Sequence, residues 1–172
     1  MADGESVPRL VLISGATGVG KTTLAKAVAH EMGLARIASS DTIREVMRAT
    51  ANSSNPALNR SSYGRGDVGD AGTDWEDAAR AVEPGIDAVV ERARQQGVDL
   101  VLEGVHVIPS RRLLSAWETA GGAAVGVVIK IEDESTHRER IEQREANTWR
   151  GAERYRIGFE RIRSIQRTIE EK

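Results

Sequence analysis

The chain has 172 residues, of which 40% are hydrophobic and only 3% aromatic, with a net charge of −2 and no cysteine. That length suits one domain with an aliphatic core, the charge argues against a protein that coats nucleic acid, and the missing cysteines exclude disulfides and thiolate metal sites. No apolar run approaches the ~20 residues that span a bilayer, and the polar, acidic residues 1–6 are wrong for a signal peptide, so a cytoplasmic protein with no membrane partner is expected.

Residues 1–8 read as a loose tail, and 9–14 as a first strand whose unbroken apolar run fits burial on both faces. The run opens into Gly15-Ala16-Thr17-Gly18-Val19-Gly20-Lys21-Thr22-Thr23, which fits G-x-x-x-x-G-K-[ST], the phosphate-binding P-loop. Glycines there let backbone N–H groups approach phosphate oxygens. Lys21 supplies a point charge for the β- and γ-phosphates, and the Thr22 hydroxyl suits Mg²⁺. ATP and Mg²⁺ are therefore the expected cofactors. A helix over 21–32 follows, with Leu24, Val28 and Met32 at helical spacing and Gly33 ending it.

Residues 34–38 predict a short second strand, and Ser39-Ser40-Asp41 caps a helix over 42–49. Asp41 and Arg44 then share one side of a helical turn. A carboxylate there suits accepting a hydroxyl proton, and a guanidinium suits gripping a phosphate or carboxylate. The stretch 51–73 is polar, glycine-rich and aperiodic, and reads as a mobile substrate-side flap. A helix over 74–95 has Asp74 as its expected cap, with a kink or a break at Pro84-Gly85.

A third strand, 98–103, ends in Glu103, an acid placed to hold Mg²⁺. His106 beyond it either touches a substrate anion or packs beside Pro109. A helix near 110–119 and a strand over 123–131 follow. Two helices, 133–147 and 151–170, close the chain, the last with Tyr155, Phe159, Ile162, Ile165 and Ile169 as a core stripe. Arginines flank the break between them, as in a closing lid over 144–154 that neutralises transferred charge. Arg144, Arg150 and Arg154 are the candidates, while Arg138 and Arg167 read as solvated surface.

Alternating strands and helices predict an α/β fold: a P-loop three-layer sandwich with a mostly parallel sheet of four to five strands flanked by helices, plus a helical arginine-containing lid. One domain, 1–172, is expected, as a monomer or homodimer. Ligands then lie beyond the carboxyl ends of the strands, where Lys21, Asp41, Glu103 and His106 converge.

Several blocks together resemble archaeal-type 2-phosphoglycerate kinase. They are Ser14 to Thr22, the block Ser40-Asp41-Thr42-Ile43-Arg44-Glu45-Val46-Met47-Arg48, Ser61-Ser62-Tyr63, Glu103-Gly104-Val105-His106-Val107-Ile108-Pro109, and Arg154-Tyr155 with Phe159, Ile162-Arg163 and Ile165-Gln166. The resemblance implies a nucleoside-monophosphate-kinase-like P-loop fold and ATP-dependent phosphorylation of 2-phosphoglycerate to 2,3-bisphosphoglycerate, with Mg²⁺ on Thr22 and Glu103. Ser62, Tyr63, Glu103 and His106 would join Asp41 and Arg44 on the small anionic substrate. Another acceptor (a sugar acid, a hydroxylated metabolite or an antibiotic) and a nucleotide-binding regulatory module stay open. A polynucleotide kinase fits the charge and the scarce aromatics poorly.

Overall fold

The computed structural model describes residues 7–50, 55–61, 69–146 and 153–172. Four strands, β1 (Arg9–Gly15), β2 (Ile37–Ser39), β3 (Leu100–Gly104) and β4 (Ala123–Ile129), form one parallel sheet in the order β2-β3-β1-β4. Helices α1 (Lys21–Met32), α2 (Ser40–Thr50), α3 (Pro56–Asn59), α4 (Ala71–Gln95), α5 (Arg111–Thr119), α6 (Glu134–Ala146) and α7 (Glu153–Glu170) flank it. This is the α/β P-loop architecture expected. Among the described residues no helix is long and apolar enough to cross a membrane.

Leu10 to Ile13 of β1 are apolar because both faces of the strand are covered there. Leu10 and Leu12 pack with Val82 and Ile86 of α4 and with Leu113 and Trp117 of α5. Val11 and Ile13 pack against Ala25 and Ala29 of α1. The alternation of side chains along a strand makes this division, and each fully buried Leu or Ile contributes about 1.5–3 kcal/mol. The stripe on α7 is core: Tyr155, Phe159, Ile162, Ile165 and Ile169 are all buried.

Several boundaries differ from the sequence reading. β2 starts at Ile37 instead of residue 34, because Leu34 finishes α1: its N–H donates to the Ala29 carbonyl at 2.8 Å, and its side chain is buried against Ala25 and Ala29. Gly33, the expected terminator, adopts φ 65° there. β4 ends at Ile129. The cap of α4 is Asp70 in place of Asp74: its Oδ2 accepts from the Thr73 N–H at 2.8 Å. The three residues before Asp74 join the helix because α4 and α7 approach closely there; a Cβ on Gly72 would lie 2.7 Å from the Thr168 hydroxyl. Asp74 is buried inside the helix and pairs with Arg161 at 2.7 Å. Pro84 lies within α4, which runs unbroken from Ala71 to Gln95.

The stretch 51–73 is also not uniformly irregular, since α3 sits inside it and α4 begins at its end. Residues 51–54 and 62–68 lie outside the described residues. Arg138 is half-buried in place of fully solvated, because its guanidinium stacks 4.0 Å above the Phe159 ring. Arg167 is exposed, as expected.

Candidate active site

The phosphate-loop motif occupies the turn between β1 and α1. Ala16 and Val19 turn inward, buried against Ile141, Tyr155, Phe159 and Ile162 of α6 and α7. Gly18, Gly20, Lys21, Thr22 and Thr23 line a hollow of about 270 Å³ closed on the other side by Arg140 and Arg144. Gly18 has no room for a side chain: a Cβ would lie 2.3 Å from Ile141, and φ is +88°. Gly15 ends β1.

Next to this hollow is a cleft of about 480 Å³. Thr17, Lys21 and Thr22 form one wall, Asp41, Thr42, Arg44 and Glu45 another, and Glu103, Arg144 and Tyr155 complete it, with Ser61 at the margin. Sheet order explains the convergence. β2 and β3 are neighbours with Ser39 in register with Glu103, and β3 is next to β1, where Ile13 is in register with Glu103. The two carboxylates therefore leave adjacent strands into one space.

Lys21 donates to the Ala16 carbonyl at 2.7 Å. Burial pushes its ammonium down to about 8, with Glu103 and Asp41 opposing and Arg144 adding to the shift. The Thr22 hydroxyl donates to Glu103 Oε1 at 3.2 Å, and Glu103 is buried. A hydroxyl and a nearly buried carboxylate meeting beside a phosphate loop form a hard oxygen pair of the kind that suits Mg²⁺, which keeps several waters and takes few protein ligands.

Asp41 lies in the first turn of α2, with its side chain 64% exposed to the cleft and its Oδ1 3.6 Å from His106 Nδ1. His106 is not on the cleft wall. It is buried beneath Asp41, bonded to the Ser40 hydroxyl at 3.2 Å, and burial pushes its pKa down, opposed by Asp41 and reinforced by Arg44 and Lys21. Its other side borders a separate, mostly apolar hollow of about 260 Å³ between α4 and α5. Arg44 is held by the Arg60 carbonyl and by Glu45 at 2.7 Å. Arg144 pairs with Glu145 at 2.8 Å and stacks 5.3 Å from the Tyr155 ring.

Of the residues expected at the site, the loop, Asp41, Arg44, Glu103 and Arg144 are brought together. Ser62, Tyr63 and Arg150 lie outside the described residues, and so does the side chain of Arg154, which belongs to the first turn of α7. Arg140 and Tyr155 were not singled out for the site. Arg140 is one helical turn before Arg144, a spacing that could have nominated it.

The floor of the cleft depends on one close contact. Gly104 ends β3 at φ +151°, and a Cβ there would lie 1.8 Å from the Ser40 hydroxyl. Gly104→Ala should cost on the order of 3 kcal/mol through strain and overpacking and lower the midpoint of thermal unfolding by roughly 6–12 °C. A melting curve within about 2 °C of the unsubstituted chain would show that this contact can relax.

Residues 10–171 match the AAA domain family. The chain is 36% identical to the 2-phosphoglycerate kinase of Methanopyrus kandleri, over 92% of this chain and 51% of that one. It is 33% identical to the 2-phosphoglycerate kinase of Methanothermobacter thermautotrophicus, over 95% of this chain and 56% of that one. It thus spans about half the length of these relatives. Among solved structures, a Chloroflexus aurantiacus protein shares the fold with a TM-score of 0.51 at 19% identity, covering 86% of this chain and 74% of its own. A chain of the Pnkp1/Rnl/Hen1 RNA repair complex does so with a TM-score of 0.52 at 14% identity, covering 99% of this chain and 48% of its own. The phosphate loop at the end of β1, the parallel sheet and the match over nearly the whole length agree: the chain belongs to the AAA domain family.

Proposed function

We propose that this chain is an ATP-dependent kinase that phosphorylates a hydroxyl of a small anionic metabolite, with 2-phosphoglycerate as acceptor and 2,3-bisphosphoglycerate as product. The observation that carries this reading is the shared cleft: a phosphate loop on one wall and an Asp41–Arg44 pair on the next strand's exit. The similarity to 2-phosphoglycerate kinases supports the choice of acceptor.

Residues 15–23 cradle the triphosphate, with Lys21 on the β- and γ-phosphates. Thr22 and Glu103 would hold Mg²⁺, which neutralises phosphate charge when bound. Asp41 orients the acceptor hydroxyl and takes its proton as that oxygen bonds to the γ-phosphorus and ADP leaves. Buried, neutral His106 limits the motion of Asp41 from below. Arg44 takes the acceptor's own anionic group, and Arg140 and Arg144 offset charge on the transferred phosphoryl.

The test is ADP release with and without acceptor. We expect 2-phosphoglycerate to stimulate release at least about tenfold over 3-phosphoglycerate, because a misplaced hydroxyl loses its alignment with the donor. Equal stimulation by both, or stimulation only by a sugar acid, rejects this acceptor. Acceptor-independent behaviour throughout rejects the kinase reading.

A further inference from the structure

The phosphate loop is tied to α6 by a buried imidazole that the kinase reading above does not use. His137, in the first turn of α6, is fully buried. Its Nε2 lies 2.8 Å from the Thr17 carbonyl, and its Nδ1 lies 3.3 Å from Arg163 Nη1. A carbonyl only accepts and a guanidinium only donates, so both contacts are satisfied by one species: the neutral ring with its proton on Nε2. Arg163 is itself fixed, donating to the Ile131 carbonyl at 2.6 Å and the Glu132 carbonyl at 2.9 Å in the segment before α6. Phe159 packs edge-on, 5.6 Å from the imidazole. Burial lowers the His137 pKa, and the cationic groups acting on it (Arg163 on α7, Lys21 on α1 and Arg140 on α6) push the same way, against the Thr17 hydrogen bond.

Two consequences follow from geometry. The Thr17–Gly18 peptide is trans, so turning the Thr17 carbonyl onto the imidazole turns the Gly18 N–H away from it. The α6 residues that meet the loop, His137 and Ile141, are one turn apart, and Arg140 and Arg144 form the neighbouring row along the phosphate hollow. Fixing the first row places the second.

We propose that His137 is a positioning residue of the phosphate loop. Its Nε2–H, kept on that nitrogen by Arg163, sets the Thr17 carbonyl and registers α6 so that Arg140 and Arg144 stand over the phosphates. The proposal rests on reading the loop as the phosphate site, and the test separates the two.

The 172-residue chain is compared with His137→Leu, which keeps the packing volume, with His137→Gln, whose amide can replace the Nε2–H donor, and with Arg163→Met. Amide hydrogen exchange over residues 16–20 is read without ligand, and the affinity for a fluorescent ATP analogue is read separately. His137→Leu should exchange in the loop about tenfold faster and bind the analogue about tenfold more weakly, as expected when one buried hydrogen bond is lost. His137→Gln should restore most of both, and Arg163→Met should fall between; that variant carries the test if His137→Leu does not fold. Unchanged loop exchange in His137→Leu, or no rescue by His137→Gln, overturns the proposal. An unsubstituted chain that binds no nucleotide overturns the phosphate-site reading, and loop exchange then still decides the role of His137.

Discussion

Lys21→Ala should reduce phosphoryl transfer by at least roughly 10²–10³-fold, the loss seen when one preorganised group facing transition-state charge is removed. Lys21 is half-buried and lines the cleft together with both carboxylates, Asp41 and Glu103. Partial burial lowers its pKa, and anionic phosphate oxygens beside it would favour the charged ammonium. Nearby guanidiniums do not replace it. Arg144 is engaged with Glu145 and the Tyr155 ring, and Arg140 lies on α6 across the hollow. An ADP-release assay with saturating nucleotide reads the effect on turnover, and titration with a fluorescent analogue reads the effect on binding. Turnover close to that of the unsubstituted chain would remove Lys21 from the centre of the chemistry.

Asp41→Asn should separate turnover from nucleotide binding. The amide has nearly the shape of the carboxylate but cannot take a proton, so kcat should fall about 10²–10⁴-fold, the range for a positioned acid–base group. Affinity for ATP should change less than about threefold, because Asp41 acts on Lys21 only through the field across the cleft. The buried His106 below should keep its bonds to Ser40, so the change stays local. Comparable losses in kcat and in nucleotide affinity would mean that Asp41 shapes the donor side and leaves the acceptor to other groups.

How much of this was legible in the sequence depends on how local each signal is. The phosphate loop and α1 were readable because a contiguous string encodes them and Gly33 marks the stop. That Asp41 and Glu103 face one cleft was readable because both follow strand ends of a parallel sheet, and the β2–β3 register brings them together. The start of α4 was not readable, since Ala71 and Gly72 give no helix signal until α7 is packed on them. Arg140 was hidden for a similar reason. Arginines and glutamates alternate along α6, and only the docked helix separates Arg140 and Arg144, over the hollow, from Arg138, stacked on Phe159. His137 carried no motif at all; its role is set by Thr17, far away in the chain, and by Arg163 on another helix.

The wedge of Ser40 against Gly104 has a consequence for altering the acceptor. Because the end of β3 and the start of α2 touch with no slack, Glu103 and Asp41 share a rigid base plate whose spacing is inherited from the sheet. Variants meant to accept a longer or bulkier alcohol should therefore leave that pair of positions untouched and vary the side walls around Thr42, Ser61 and Tyr155.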